Sequence, residues 1–184
     1  MSSWGATDAN ESKPSFLTDV EKRSAYATTK GWVVPAGGND NAAADPEVLV
    51  AIGGLSGSTG INVADISSLN WAVDSFDKSA GGVISAVVNY NEQVDVTGTP
   101  RLTLTNDTPS RNVLLEYASG TGTNRLTFSK TIAANNAATN AGDVLTMGAN
   151  AVAHNGGSTI KEKGTNTNAT ITHGAHAKTL TVVA

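Results

Sequence analysis

Cysteine is absent from the 184 residues, so neither a disulfide nor a thiolate metal site can stabilise this chain. Aromatic residues make up only 5% and charged residues 15%, so a core can be built but not from many large rings. The net charge of −4 leaves no basic excess, which argues against nucleic acid as the main partner. No apolar run approaches the roughly 20 residues of a membrane-spanning helix, and no membrane partner is expected. The opening Met1-Ser2-Ser3-Trp4-Gly5-Ala6-Thr7-Asp8 lacks the basic and apolar regions of a secretory leader, which predicts synthesis in the cytoplasm. Thr, Asn, Gly and Ala fill the gap. Thr suits strands, and Gly and Asn suit turns with positive φ, so the composition leans towards an all-β chain.

The pattern changes along the chain. Residues 1–17 show no periodicity and contain Pro14, with Trp4 and Phe16 as isolated apolar residues in a polar stretch. Such a segment is expected to stay extended or disordered until it meets a partner. Thr18-Asp19-Val20-Glu21 reads as a capping box opening a helix to about Lys30, with Gly31 as its left-handed stop. The apolar face of that helix (Val20, Ala25, Ala27) is thin and calls for a neighbour. Trp32-Val33-Val34-Pro35 reads as a short extended piece, and Asp45 to Ile52 as a strand after a turn. Ile61 to Asp77 fits neither period and is expected to hold turns and short strands.

From Gly82 the alternation sharpens. Ile84, Ala86, Val88 and Tyr90 share one face; Val94 and Val96, Leu102 and Leu104, Val113, Leu115 and Tyr117, and Leu126, Phe128 and Ile132 repeat the pattern. Val144 to Met147, Thr159 to Glu162, Ala169 to Thr172, and Leu180 with Val182 complete the series. Turn clusters such as Thr97-Gly98-Thr99-Pro100 and Ser119-Gly120-Thr121-Gly122 separate them. Short strands at regular spacing predict a sandwich.

Val94 to Thr105, Tyr117 to Phe128, and Asn155-Gly156-Gly157-Ser158-Thr159-Ile160-Lys161 together resemble the immunoglobulin-like repeats of large bacterial surface adhesins. The resemblance implies an immunoglobulin-like fold for the sandwich, so the expected chain is mainly β: a C-terminal immunoglobulin-like Greek-key β-sandwich over 82–184, preceded by the extended N-terminal arm with one short helix read above. The arm would cover 1–34 and a small mixed region of short strands and loops 35–81. Adhesin repeats usually carry an Asp- and Gly-Asn-containing turn before the last strand, where calcium can bind; here it reads Glu162-Lys163-Gly164-Thr165-Asn166-Thr167-Asn168, so that calcium inference does not carry over. Ser3 to Asp8, Glu11-Ser12-Lys13-Pro14 and Gly31-Trp32-Val33-Val34 are similar to the starts of structural proteins of marine tailed phages, particularly the myoviruses of cyanobacteria. The combination implies a non-enzymatic virion structural protein, a capsid decoration or cement protein. Its expected partners are the major capsid protein or other virion subunits and further copies of itself, a trimer being one option. A tail, neck or baseplate component and a surface carbohydrate-binding or adhesion module are the alternatives. For the latter, Tyr90 is the nearest aromatic candidate.

Among chemistry-bearing residues, His173 and His176 form an H-x-x-H pair, but Gly174 argues against a helix, and in an extended segment the two point to opposite faces. They read as part of a solvated loop, and His154 as a surface residue. Asp95, Asp107 and Asp143 could ligate calcium if loops converged, although the reading as turn formers and strand-edge charges is preferred. No nucleophile elbow and no phosphate-cradling glycine loop is present, so no catalytic residue, cofactor or metal is expected. Trp4 and Phe16 are expected to anchor the arm in a neighbouring subunit, since buried aromatics dominate interface energies. Trp32 is a third candidate contact, open between that role and a small local core, and Trp71 is expected to fill such a core.

Overall fold

The computed structural model describes residues 13–28, 30–35, 47–51, 63–108 and 111–183, of which 51% lie in strands and 4% in helix. The mainly β class expected from the alternation is the class adopted.

The first elements form a small unit. Helix α1 (Asp19–Ser24) opens with the expected capping box: the Thr18 amide donates to Glu21 Oε2 at 2.8 Å, and the Glu21 amide to Thr18 Oγ1 at 3.3 Å. The helix does not reach Lys30. Ala25 is already extended, with φ −61° and ψ 137°, and the chain continues into β1 (Tyr26–Thr28). Strand β1 pairs with β2 (Gly31–Val34), which pairs with β3 (Glu47–Ala51). Gly31 has φ of 128° and starts a strand rather than stopping a helix. The physical reason is that pairing Tyr26 with Val33 and Ala27 with Trp32 buries all four side chains, which a few more residues of thin-faced helix could not do.

The rest is one curled, mixed sheet. Its strands are β4 (Ile66–Trp71), β5 (Ser75–Asp77), β6 (Gly82–Thr97), β7 (Arg101–Asn106), β8 (Val113–Ser119), β9 (Thr123–Ile132), β10 (Val144–Thr146), β11 (Val152–Ala153), β12 (Thr159–Glu162) and β13 (Leu180–Val183). They run in the order β12-β6-β9-β8-β7-β10-β13-β5, with β4 beside β6 and β11 beside β7. The pair β5–β13 is parallel; the other pairs of this sheet are antiparallel. Strands β4 and β5 therefore belong to this sheet, which starts near residue 66 and not at 82 as the sequence boundary had it. Ala72 to Asp74 carry the chain from the β6 edge to the far end of the strand path, so one stretch of backbone bridges the two borders.

Strand β6 also corrects the sequence reading. The two expected strands around Tyr90 and Val96 are one 16-residue strand whose register against β9 shifts between Asn89 and Val94. Its first half pairs with β4 and its second with β12. The expected strand over Ala169 to Thr172 does not form; one bridge between Lys161 and Asn168 and the bond from the Thr170 amide to Ala64 O at 2.8 Å hold that stretch instead.

The inward faces follow the expected alternation. Ile84, Val88, Tyr90, Leu102, Leu104, Leu115, Leu126, Phe128, Leu145, Met147, Ile160 and Leu180 are fully buried in one cluster. Each contributes on the order of 2 kcal/mol by leaving water. The turn between β8 and β9 depends on Gly120, whose φ is 115°; a Cβ there would stand 2.0 Å from Arg125 O.

Candidate functional site: an N-terminal face and an adjoining cleft

Residues 13–34 find within the chain the neighbour that the sequence reading sought outside it. Leu17, Ala25 and Val34 form a second small core with Leu49 packed against it. The buried Lys13 ammonium donates to the carbonyl of Lys22 in the last turn of α1, a favourable place for a cation. Three polar ties fasten this unit to the large sheet. Asn124 Nδ2 donates to Ser24 O at 2.9 Å, Ser68 Oγ donates to Arg23 O at 3.2 Å, and the side chains of Tyr26 and Gln93 are hydrogen-bonded. Every residue of β6 from Ala86 to Glu92 is buried, because one face lies on the main core while the unit helps to cover the other.

The candidate contact residues fall in three different places. Phe16 is 67% exposed, beside the buried Leu17. Trp32 is fully buried inside this chain, and its indole N–H meets no acceptor among the described residues. Trp4 lies outside the described residues. Val20 on α1 and Val48 on β3 are also exposed, so the small unit carries three of the six exposed large apolar side chains among the described residues. Tyr90, named above for sugar contact, is buried in the core instead. Burial, with the charge of Asp65 adding, pushes its hydroxyl above the usual phenol range.

The three aspartates do not converge. Asp143 Oδ2 accepts from Asn106 Nδ2 and the Asn140 amide, each at 2.8 Å, and its Oδ1 accepts from Thr108 Oγ1 at 2.8 Å. Burial alone would raise this carboxyl; the donors from Asn106, Asn140 and Thr108, with Arg111 nearby, outweigh it and hold the group below the ordinary carboxylate range. Asp107 accepts from the Val144 amide at 3.0 Å in the same turn cluster. Asp95 sits on β6, opposite Lys161 of β12. Among the described residues no group of three or more His, Asp or Glu side chains is placed to hold a metal ion. These carboxylates act as acceptors that fix turns.

A cleft of about 640 Å³ opens between β4, the last turn of α1 and the stretch 173–179. Asn70, Trp71 and Asp74 line it from β4 and the turn after it, Arg23 from α1, and His176 and Lys178 from the stretch 173–179. Trp71 Nε1 donates to Lys178 O at 2.9 Å, which fixes the indole against the far wall. The H-x-x-H pair lies here and its two rings behave differently. His173 Nε2 accepts from the Val152 amide at 3.3 Å, so its Nδ1 carries the proton and donates to Gly174 O at 2.7 Å. The His176 ring is held below the ordinary histidine range by burial first, then by the charges of Lys178 and Arg23. His154 is exposed, as expected. No spacing signal could have found this cleft: Trp71 and Lys178 are 107 positions apart.

Comparison of the chain with family models, with curated proteins and with solved structures finds no match.

Proposed function

We propose that this chain is a non-enzymatic structural protein of a phage particle, a capsid decoration or cement protein that docks on the coat lattice through its N-terminal face. The observation that carries the reading is Phe16, two-thirds exposed on a segment otherwise tied down, with Val20 and Val48 exposed on the same small unit. A large ring left in water beside a buried Leu17 suits an anchor for a neighbouring subunit. The resemblance of residues 3–8 and 31–34 to phage structural proteins supplies the kind of neighbour. In this reading Trp4 extends the contact and Trp32 supports it from inside, as the buried filling of β2. Binding only to the assembled lattice stabilises that lattice by mass action, and many copies, in trimers or otherwise, make weak individual contacts sufficient.

The immunoglobulin-like part of the reading draws support from the strand order. Strand β4 lies on β6 and the following β5 crosses to lie parallel to the final strand β13. The order β6-β9-β8-β7 sets the first of four consecutive strands beside the last, as a Greek key does, and this supports the reading.

The test is binding of the full chain to purified capsids, read as copies bound per particle. The double variant Phe16→Ser, Val20→Ser and a deletion of residues 2–12 are each expected to lower occupancy while leaving the melting curve of the large sheet in place. Full occupancy by both variants would sink the docking proposal.

A further inference from the structure

We propose that the cleft between β4 and the stretch 173–179 binds an acidic saccharide, a hydroxylated ring bearing a carboxylate or sulfate. The site uses none of the exposed apolar side chains of the docking face, although Arg23 stands on the same helix as Val20. It would serve a particle protein of any location, and its failure would leave the capsid reading untouched.

Three features of the cleft point to this ligand. The first is charge. Arg23 and Lys178 both line the cleft and both act on the charge of His176, and among the described residues neither has a carboxylate within ion-pair distance. Two unanswered cations sharing a partly enclosed space, in a chain of net charge −4, form a local site for an anion. The second is the remaining lining. Asn70 and Asp74 offer an amide and an acceptor to hydroxyl groups, and Trp71 offers a ring surface to the apolar face of a sugar. A free inorganic anion would use the cations but not the ring, and only a ligand that also carries hydroxyl groups has donors for Asp74, whose charge opposes any anionic group. The third is rigidity. Trp71 is fixed to Lys178 O, Ser68 ties β4 to Arg23 O, and Asn70 Nδ2 donates to Ser68 Oγ at 3.3 Å. The opposite wall is anchored by the His176 amide on Met147 O at 2.9 Å. A preformed cleft binds without the cost of ordering its walls, and its volume falls in the range of small-ligand pockets.

The experiment is calorimetric titration of the full chain with four probes: an oligogalacturonate, a sulfated galactan oligosaccharide, a neutral galactan oligosaccharide and sodium sulfate. Saturable binding of one or both acidic oligosaccharides, with the neutral one and sulfate much weaker, is expected, and the first two arms separate carboxylate from sulfate. Arg23→Gln and Lys178→Gln should each weaken binding about tenfold, the size of one charge-assisted contact. Trp71→Phe should weaken it less than Trp71→Ala. The His176 ring, facing Arg23, Lys178, Asp74 and His173, should titrate higher by NMR when the acidic oligosaccharide is bound. Equal binding of neutral and acidic oligosaccharides, binding of sulfate alone, no binding at all, or binding indifferent to both cation variants would each overturn the proposal.

Discussion

The small N-terminal unit and the large sheet are both β-rich, yet they are held together by different means. The large sheet rests on a continuous cluster of fully buried Leu, Ile, Val and Phe side chains drawn from nearly every strand. The unit of residues 13–34 and 47–51 has a core of Leu17, Ala25 and Val34, and depends on polar ties from Asn124, Ser68 and Gln93 to the sheet beneath it. One region is stable by burial within itself, and the other by burial against that sheet together with attachment to it. A segment with too little apolar surface to fold alone can still be ordered, provided that a ready-made sheet supplies the missing face and acceptors.

The largest expected effect lies on the side of burial. Phe128→Ala removes a fully buried ring that meets Tyr117 edge-on at 6.0 Å, and should cost about 4 kcal/mol of global stability by chemical denaturation. A loss confined to the N-terminal unit would break the contrast. Next comes Asp143→Ala, which strands the amide of Asn106 and the Asn140 N–H, at a cost of about 2 kcal/mol in the same measurement. The Asp143 carboxyl is held low in the folded state, so its contribution is fully present above the unfolded value near 4 and is lost as pH falls through the lower folded value. Denaturation curves should show the variant losing less stability than the parent between about pH 5 and pH 2.

On the side of attachment the effects are smaller and local. Asn124→Ala removes the ties to Ser24 O and, at 3.3 Å, Tyr90 O, and is expected to cost about 1 kcal/mol. Amide exchange should rise over residues 19–34 first; a uniform rise across β6 to β9 would mean that the two regions unfold as one. Thr18→Ala removes the side-chain half of the capping box, is expected to cost less than about 1 kcal/mol, and should register only as faster exchange in α1.

The difference also decides what could be read from the sequence. Inward faces of β7, β8 and β9 were legible because one side meets the core and the other water, so Leu102, Leu115 and Phe128 alternate with polar neighbours. The alternation misleads in β6, where Asn89, Asn91 and Glu92 are buried. Asn91 Oδ1 accepts from the Asp65 amide at 2.7 Å, a contact between distant positions that leaves no local mark. The capping box was legible because its partners are three residues apart. The end of α1 was not, because the pairing of β1 with β2 overrode helix propensity. Phe16 and Trp32 look alike in sequence, as aromatics in weakly patterned segments. Exposure separates them completely, and exposure is a property of the covering strands. The cleft was invisible for the same reason: Trp71 and Lys178, on its two walls, are 107 positions apart.

The parallel pairing of β5 with β13 has a mechanical consequence. Tension applied between the start of β5 and the end of β13 pulls two side-by-side strands lengthwise past each other. The bonds between them, including that from the Lys78 amide to Val183 O at 3.0 Å, then share the load and must fail together, whereas a hairpin pulled open from one end gives way bond by bond. Single-molecule stretching from these two points is expected to show one high rupture force; a series of low steps would contradict it.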